Sequence, residues 1–191
     1  MPYLTSDVIT AGMLSRDEQP EVAVGGELRL RPWDANDAEL LLAVYADRDI
    51  QQWHCRTLTD LDEAREMIDR WQSAWRQETG AHWAITSGRR VVGRAGFRHL
   101  DLAYGEGELA YWAVPGQRGH GYVPAAVTAL THWAFDIGFL RVFLRHSSAN
   151  TASCRVAEKT GFRYEGTLVS AAPHPDGRHD MHVHARMANH G

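Results

Sequence analysis

ELAYWAVPGQRGHGY, residues 108–122, changes character halfway along. Residues 107–114, GELAYWAV, are apolar and aromatic enough for a buried strand, and Pro115-Gly116 ends it. Then come three glycines in six residues, Gly116, Gly119 and Gly121, and an apolar stretch that reads as helix from Tyr122 to Ile137 and stops at Gly138. A strand that turns through glycines directly into a helix exposes successive backbone N–H groups. Glycine has no Cβ to hold an anion away, the helix N-terminus adds unpaired donors and partial positive charge, and Arg118 adds a full charge. A diphosphate is the natural guest. The spacing GxxGxG is neither the GxxxxGK[ST] of nucleoside-triphosphate loops nor a GxGxxG on a first βαβ unit, which sets aside kinase and dinucleotide readings.

Upstream, ELRLRPWD (27–34) alternates like a short strand, and Asp34 stands where an N-cap would start a helix carrying Leu40, Leu41, Val44 and Tyr45. Asp60 with Glu63 announces a second helix whose stripe is Ala64, Met67, Ile68, Trp71 and Trp75. HWAIT (82–86) and RVVGRAGF (90–97), joined by Ser87-Gly88-Arg89, read as an antiparallel pair. Downstream, LRVFLRH (140–146) reads as a buried strand, and Asn150 caps a short helix ending at Gly161. EGTLVS and DMHVHARM give two late strands. The order predicts an α+β fold with helices on both faces of the sheet. Residues 1–26 show no sustained periodicity and read as an arm ahead of one domain over 27–191.

Composition narrows the function classes. The chain has 191 residues, one domain's worth, and a net charge of -4 from 20 Lys and Arg against 24 Asp and Glu, which gives no global attraction to nucleic acid or an anionic membrane. No run of apolar residues is long enough for a membrane span and no export signal is seen; with only Cys55 and Cys154, a reducing cytoplasm is the default setting. Histidine is over-represented at 11, and His174, His179, His182, His184 and His190 all fall after residue 173.

The ordered set LRLRPWDANDA, WAIT, VVGRAGF, ELAYWAVPGQRGHGY and NTASCRVAEKTGFRYEGTL, from about Leu28 to Met187, resembles the GNAT N-acetyltransferases, and within them the Rim-type branch that acetylates N-termini of ribosomal proteins. The resemblance implies a mostly antiparallel sheet of about six to seven strands, splayed at the cofactor site. It implies acetyl-CoA as co-substrate, with its pyrophosphate on Gln117, Arg118, Gly119, His120, Gly121 and Tyr122, its pantetheine arm along Trp112, Ala113 and Val114, and its thioester beside Asn150 and Ser153. A free N–H near Val114 would then polarise the thioester carbonyl. It implies transfer without metal or acyl-enzyme, and a homodimer.

Within that frame Ser153 is the candidate to return a proton to the departing thiolate; Cys154, facing another way on the same helix, reads as a small buried hydrophobe rather than a nucleophile. The branch carries a glutamate base shortly after the EG-type segment, yet Leu168-Val169-Ser170-Ala171-Ala172-Pro173 holds no acid, and a tyrosine common on the last strand is replaced by His184. His174, His184 and Glu108 are the candidate bases. The missing glutamate favours an α-amine, neutral in good part near pKa 7.7 to 8.0, over a lysine amine. Trp33, Trp53, His54 and Arg56 are candidates for the acceptor pocket, whose guest ranges over peptide N-termini, free amino compounds, polyamines and amine-bearing antibiotics. Two alternatives stand beside the enzyme: an acyl-CoA sensor that has lost its base, and a metal site at His182-x-His184 with His174, His179 or Asp180.

Overall fold

The computed structural model describes residues 6–188; residues 1–5 and 189–191, and with them His190, lie outside the described residues. The strands are β1 (Val22–Gly25), β2 (Leu28–Pro32), β3 (Ala81–Ser87), β4 (Arg90–Asp101), β5 (Glu106–Ala113), β6 (Arg141–Ser147), β7 (Arg163–His174) and β8 (Gly177–Met187). The helices are α1 (Ala38–Tyr45), α2 (Arg48–His54), α3 (Leu61–Arg76), α4 (Tyr122–Asp136) and α5 (Thr151–Lys159), with a 3-10 turn at Ala35–Asp37. All eight strands form one sheet in the order β1-β2-β3-β4-β5-β6-β8-β7. Every pairing is antiparallel except β5 with β6.

The sheet therefore has one strand beyond the range expected. β1 is four residues long and ends in Gly25-Gly26, too short for alternation to stand out from a loop. It belongs to the segment read as an arm, whose residues 6–26 are packed onto the body. Ile9 and Leu14 are buried in the core, and the Glu78 carboxylate accepts from the N–H groups of Gly12 (2.6 Å), Leu14 (2.6 Å) and Ser15 (2.9 Å). The helix α2 also escapes a periodicity reading, because RDIQQWH buries only Ile50; Asp47 starts it by accepting from Ile50 N–H at 3.1 Å, and Cys55 ends it at φ 52. Asp34 caps the 3-10 turn together with Asp37, and α1 follows directly.

Period-2 alternation sorts the sheet's side chains onto two cores. Trp83, Ile85, Val92, Ala95 and Phe97 face α4, whose Ala126, Val127, Leu130 and Ala134 are buried against them. Ala84, Val91 and Trp112 face the other way onto α1 and α3, through Leu41, Val44, Met67 and Ile68. What positions the site is the parallel seam. β5 pairs with β6 from Glu106↔Arg141 only as far as Leu109↔Leu144, while β5 continues along β4 to Ala113 and β6 along β8 to Ser147. Beyond Leu109 the two central strands diverge and leave a cleft.

Candidate active site

The cleft has a volume of about 720 Å³, within the usual range of small-molecule sites. One wall is β5 and the loop after it. Val114 N–H itself donates to the Val92 carbonyl at 2.9 Å in the β4–β5 ladder, so a free donor near Val114 has to come from a neighbouring residue. Successive residues of a strand turn their N–H groups to opposite edges, so the amides of Tyr111 and Ala113 face the cleft, where β6 no longer pairs with them. Trp112 contributes backbone, since its indole packs on Trp33 (6.0 Å) and Tyr45 (6.2 Å).

Gly116, Gly119 and Gly121 adopt φ of 82°, 84° and 80°, the left-handed region where a side chain would strain the turn, and a Cβ on any of them would meet open space. Gly121 is the N-cap of α4, and among the described residues no side chain caps that helix, so its first amides remain available to an anion. Gln117, Gly119, Gly121 and Tyr122 line the cleft; His120 is exposed, stacked on Tyr122 at 5.4 Å, and does not line it. Arg118 lines the cleft too, but its charge is shared: Nη2 contacts Asp47 Oδ1 at 2.9 Å and Nη1 contacts Asp49 Oδ2 at 2.5 Å. These two carboxylates, on or next to α2, were invisible to a reading of the loop alone.

The opposite wall is β6 and the N-terminus of α5. Asn150 Oδ1 accepts from Ser153 N–H at 3.1 Å and fixes Ser153 in the first helical turn, on the cleft. Tyr111 hydroxyl donates to the Ser153 carbonyl at 3.5 Å across the gap, and burial pushes its phenol well above the usual range. His174, from β7, also lines the cleft. Its Nδ1 lies 2.8 Å from the Gln52 carbonyl, so Nδ1 carries the proton and Nε2 keeps its lone pair. Its ring stacks on His179 at 4.2 Å and meets Trp53 edge-on at 6.1 Å. Behind it runs a chain missed in the sequence because its members are far apart: Ser147 Oγ to His179 Nδ1 at 2.8 Å, and His179 Nε2 to Asp176 Oδ1 at 2.9 Å. Gln52 donates to Asp176 at 2.7 Å, clamping the β7–β8 turn to α2.

The remaining candidates fall elsewhere. Glu108 is 3% exposed and lies outside the cleft wall, its oxygens held by Arg145 Nε at 2.8 Å, Arg145 Nη2 at 2.9 Å and Arg98 Nη2. Burial alone would raise its pKa, but the hydrogen bonds and charges of Arg145 and Arg98 outweigh it and hold the carboxyl below the usual range. A carboxylate so satisfied is a structural anchor for two arginines on the cleft and is corrected from the role of base. His184 is buried on β8 with its ring stacked on His146 at 5.2 Å; it does not reach the cleft. Trp33 is 2% exposed and packs against Trp71 at 5.3 Å in the second core, so it walls no acceptor pocket. Arg56 is exposed and off the cleft. Trp53 and His54 do line it, and burial with the Arg94 and Arg98 charges drives the His54 pKa down to about 3, so its imidazole is neutral.

Comparison with known proteins agrees with this geometry. Residues 27–163 match the family model described as an acetyltransferase (GNAT) domain. The chain is 25% identical over 145 residues to an uncharacterized N-acetyltransferase p20 of Bacillus licheniformis, covering 74% of this chain and 82% of the relative. It is 30% identical over 98 residues to the ribosomal-protein-serine acetyltransferase of Escherichia coli K12, covering 51% of this chain and 55% of that protein. A solved structure of RimL, a ribosomal alpha-N-protein acetyltransferase in complex with coenzyme A, superimposes with TM-score 0.81 at 21% identity, covering 88% of this chain and 98% of that one. With a family model spanning most of the chain over the splayed sheet and glycine loop that carry its site, the protein belongs to the GNAT acetyltransferase family.

Proposed function

We propose that the protein transfers an acetyl group directly from acetyl-CoA to a primary α-amine, such as a peptide N-terminus, with donor and acceptor bound together. The observation that carries this reading is the parting of β5 from β6 beyond Leu109↔Leu144, between a glycine-shaped helix N-terminus and Ser153. Acetyl-CoA supplies the activated acyl group. The first amides of α4, with those of the loop, take the diphosphate. The cleft-facing main chain of Tyr111 and Ala113 pairs with the extended pantetheine, and one of these N–H groups hydrogen-bonds the thioester carbonyl oxygen as negative charge grows there.

His174 Nε2 takes the proton lost by the attacking amine, directly or through one water, while Nδ1–H stays on the Gln52 carbonyl and holds the ring's aim. Ser153 returns a proton to sulfur as the C–S bond breaks. Trp53, against which His174 rests, walls the acceptor side. An α-amine is neutral in good part near pH 8, so an imidazole is base enough. The names of the curated relatives, an N-acetyltransferase and a ribosomal-protein-serine acetyltransferase, support an acceptor amine on a protein. Two free thiols, Cys55 exposed and Cys154 half-buried, fit a reducing cytoplasm. Among the described residues no helix is long and apolar enough to cross a membrane.

Isothermal titration with acetyl-CoA, followed by thiol release against a panel of peptides and small amines, tests the proposal. Binding with turnover on peptide α-amines supports it. Binding without turnover on any amine would instead support the acyl-CoA sensor, which the missing glutamate keeps in view, and no binding would refute both.

A further inference from the structure

Four ligand-type side chains converge on one point beside the cleft: His146 on β6, Cys154 on α5, and His182 and His184 on β8. One atom from each, a ring nitrogen or Sγ, lies within 4.8 Å of all the others. The β6–β8 register builds this grouping by setting His146 opposite His182 and Leu144 opposite His184, and α5 lays Cys154 over the pair with its Sγ 4.0 Å from His182 Nδ1. A tetrahedral zinc ion with its usual bond lengths would bring sulfur and nitrogen to about 3.6 Å, and two nitrogens to about 3.4 Å. The cluster is a slightly expanded version of that arrangement.

A second, independent feature points to an occupant. His146 and His184 are 7% and 5% exposed, yet among the described residues His146 Nε2 and both ring nitrogens of His184 have no hydrogen-bond partner. Buried polar atoms lose their water on folding and are normally repaid by a partner. His146 Nδ1 sits 2.8 Å from the Ser147 carbonyl, so the proton is on Nδ1 and the Nε2 lone pair is the one left unmatched. A backbone carbonyl on the far nitrogen is the arrangement that orients metal-binding imidazoles. Tyr164 closes the cluster from outside, its ring 5.2 Å from His182 and 5.4 Å from His184.

We propose that His146, Cys154, His182 and His184 form a closed tetrahedral site for a borderline-soft divalent cation, with zinc as the matching ion. Cys154 ligates as thiolate, its proton passing to solvent, and the three histidines ligate as neutral imidazoles. Four protein ligands leave no open coordination position, so the ion is structural and acetyl transfer needs none of it. Its use lies in α5, which buries only Ala157 and yet carries Asn150 and Ser153 on the cleft. A metal joining α5 to β6 and β8 would lock that helix. The inference does not depend on the identity of the acceptor or of the base.

Metal-stripped full-length protein is titrated with zinc alone against a chromophoric chelator, and separately with cobalt(II). The expected result is one equivalent bound with sub-micromolar affinity. Cobalt should give the strong visible bands of a tetrahedral ion together with a near-ultraviolet thiolate charge-transfer band, and zinc should raise Tm. Cys154→Ser and His182→Ala, each checked for native circular dichroism, should weaken zinc binding about a hundredfold or more, and Cys154→Ser should abolish the charge-transfer band. His179→Ala should leave both readouts intact. Absence of stoichiometric binding, a six-coordinate cobalt spectrum without the thiolate band, or binding that survives both substitutions would overturn the proposal.

Discussion

Glu108→Gln separates an anchoring carboxylate from a catalytic one. The residue is 3% exposed and accepts from Arg145 at 2.8 and 2.9 Å and from Arg98, so the neutral isostere keeps the shape but leaves two guanidinium groups facing an amide that also donates. Breaking a fully buried pair costs about 3 to 5 kcal/mol. Here the arginine side chains are 45% and 40% exposed, and solvent screening lowers the expected loss to about 2 kcal/mol. For a domain of this size that corresponds to about 4 to 8 °C in Tm by calorimetry. The sign with pH is fixed by the depressed pKa of Glu108. Its contribution is complete above the unfolded value near 4.5 and is lost as pH falls through the folded one, so the gap between wild type and variant should close in acid. Turnover near neutral pH should drop only modestly, with the pH–rate profile unmoved. A fall in kcat of about a hundredfold or more, with loss of the profile's acid limb and no change in Tm, would refute the reasoning and make Glu108 the base.

Gly121→Val forces a β-branched side chain to φ 80, at a cost of at least about 1 to 2 kcal/mol, and should weaken acetyl-CoA binding about tenfold or more by titration calorimetry; unchanged affinity would remove the loop assignment. Asp49→Ala releases one of the two carboxylates on Arg118 and should tighten CoA binding by up to about fivefold, as for an exposed pair, whereas weaker binding would show that the pair shapes the loop. Ser153→Ala and His174→Gln should each lower kcat, the latter about a hundredfold, while the Kd for CoA stays put; a matching loss of CoA affinity in either would assign it to binding instead. Burial with the charges of Arg94 and Arg98 holds His54 at a pKa of about 3, and burial likewise lowers that of His82, so both stay neutral in the fold. Stability should then decline as pH drops from about 6.5, where the unfolded chain begins to take up protons that the folded one refuses; imidazole resonances of His54 shifting between pH 5 and 8 would contradict this.

Local chemistry made much of the fold legible. Pro115, Gly116 and Gly121 mark the strand-to-helix turn because only certain backbones suit them, and Asp60 and Asn150 announce helix starts because their side chains accept from the amides three residues on. Alternation along residues 180–187 correctly put His182 and His184 on one face, though not which face met the cleft. Short elements with few buried residues, β1 and α2, left too weak a pattern to see. Glu108 and Trp33 looked available because exposure is not written in a residue's type. Their burial depends on partners as remote as Arg145 and Trp71.

By itself, then, the sequence determined the order of the longer elements, the glycine-bearing turn from strand into helix and the helix start at Asn150, all of which rest on short-range backbone preferences. The tertiary structure alone decided which amides of β5 are free, that Arg118 answers to Asp47 and Asp49, that His174 rather than Glu108 or His184 stands on the cleft, and that His146, Cys154, His182 and His184 meet. Each of these joins residues from separate elements, and strand register and the divergence of β5 from β6, which set those distances, arise only when the whole sheet is assembled.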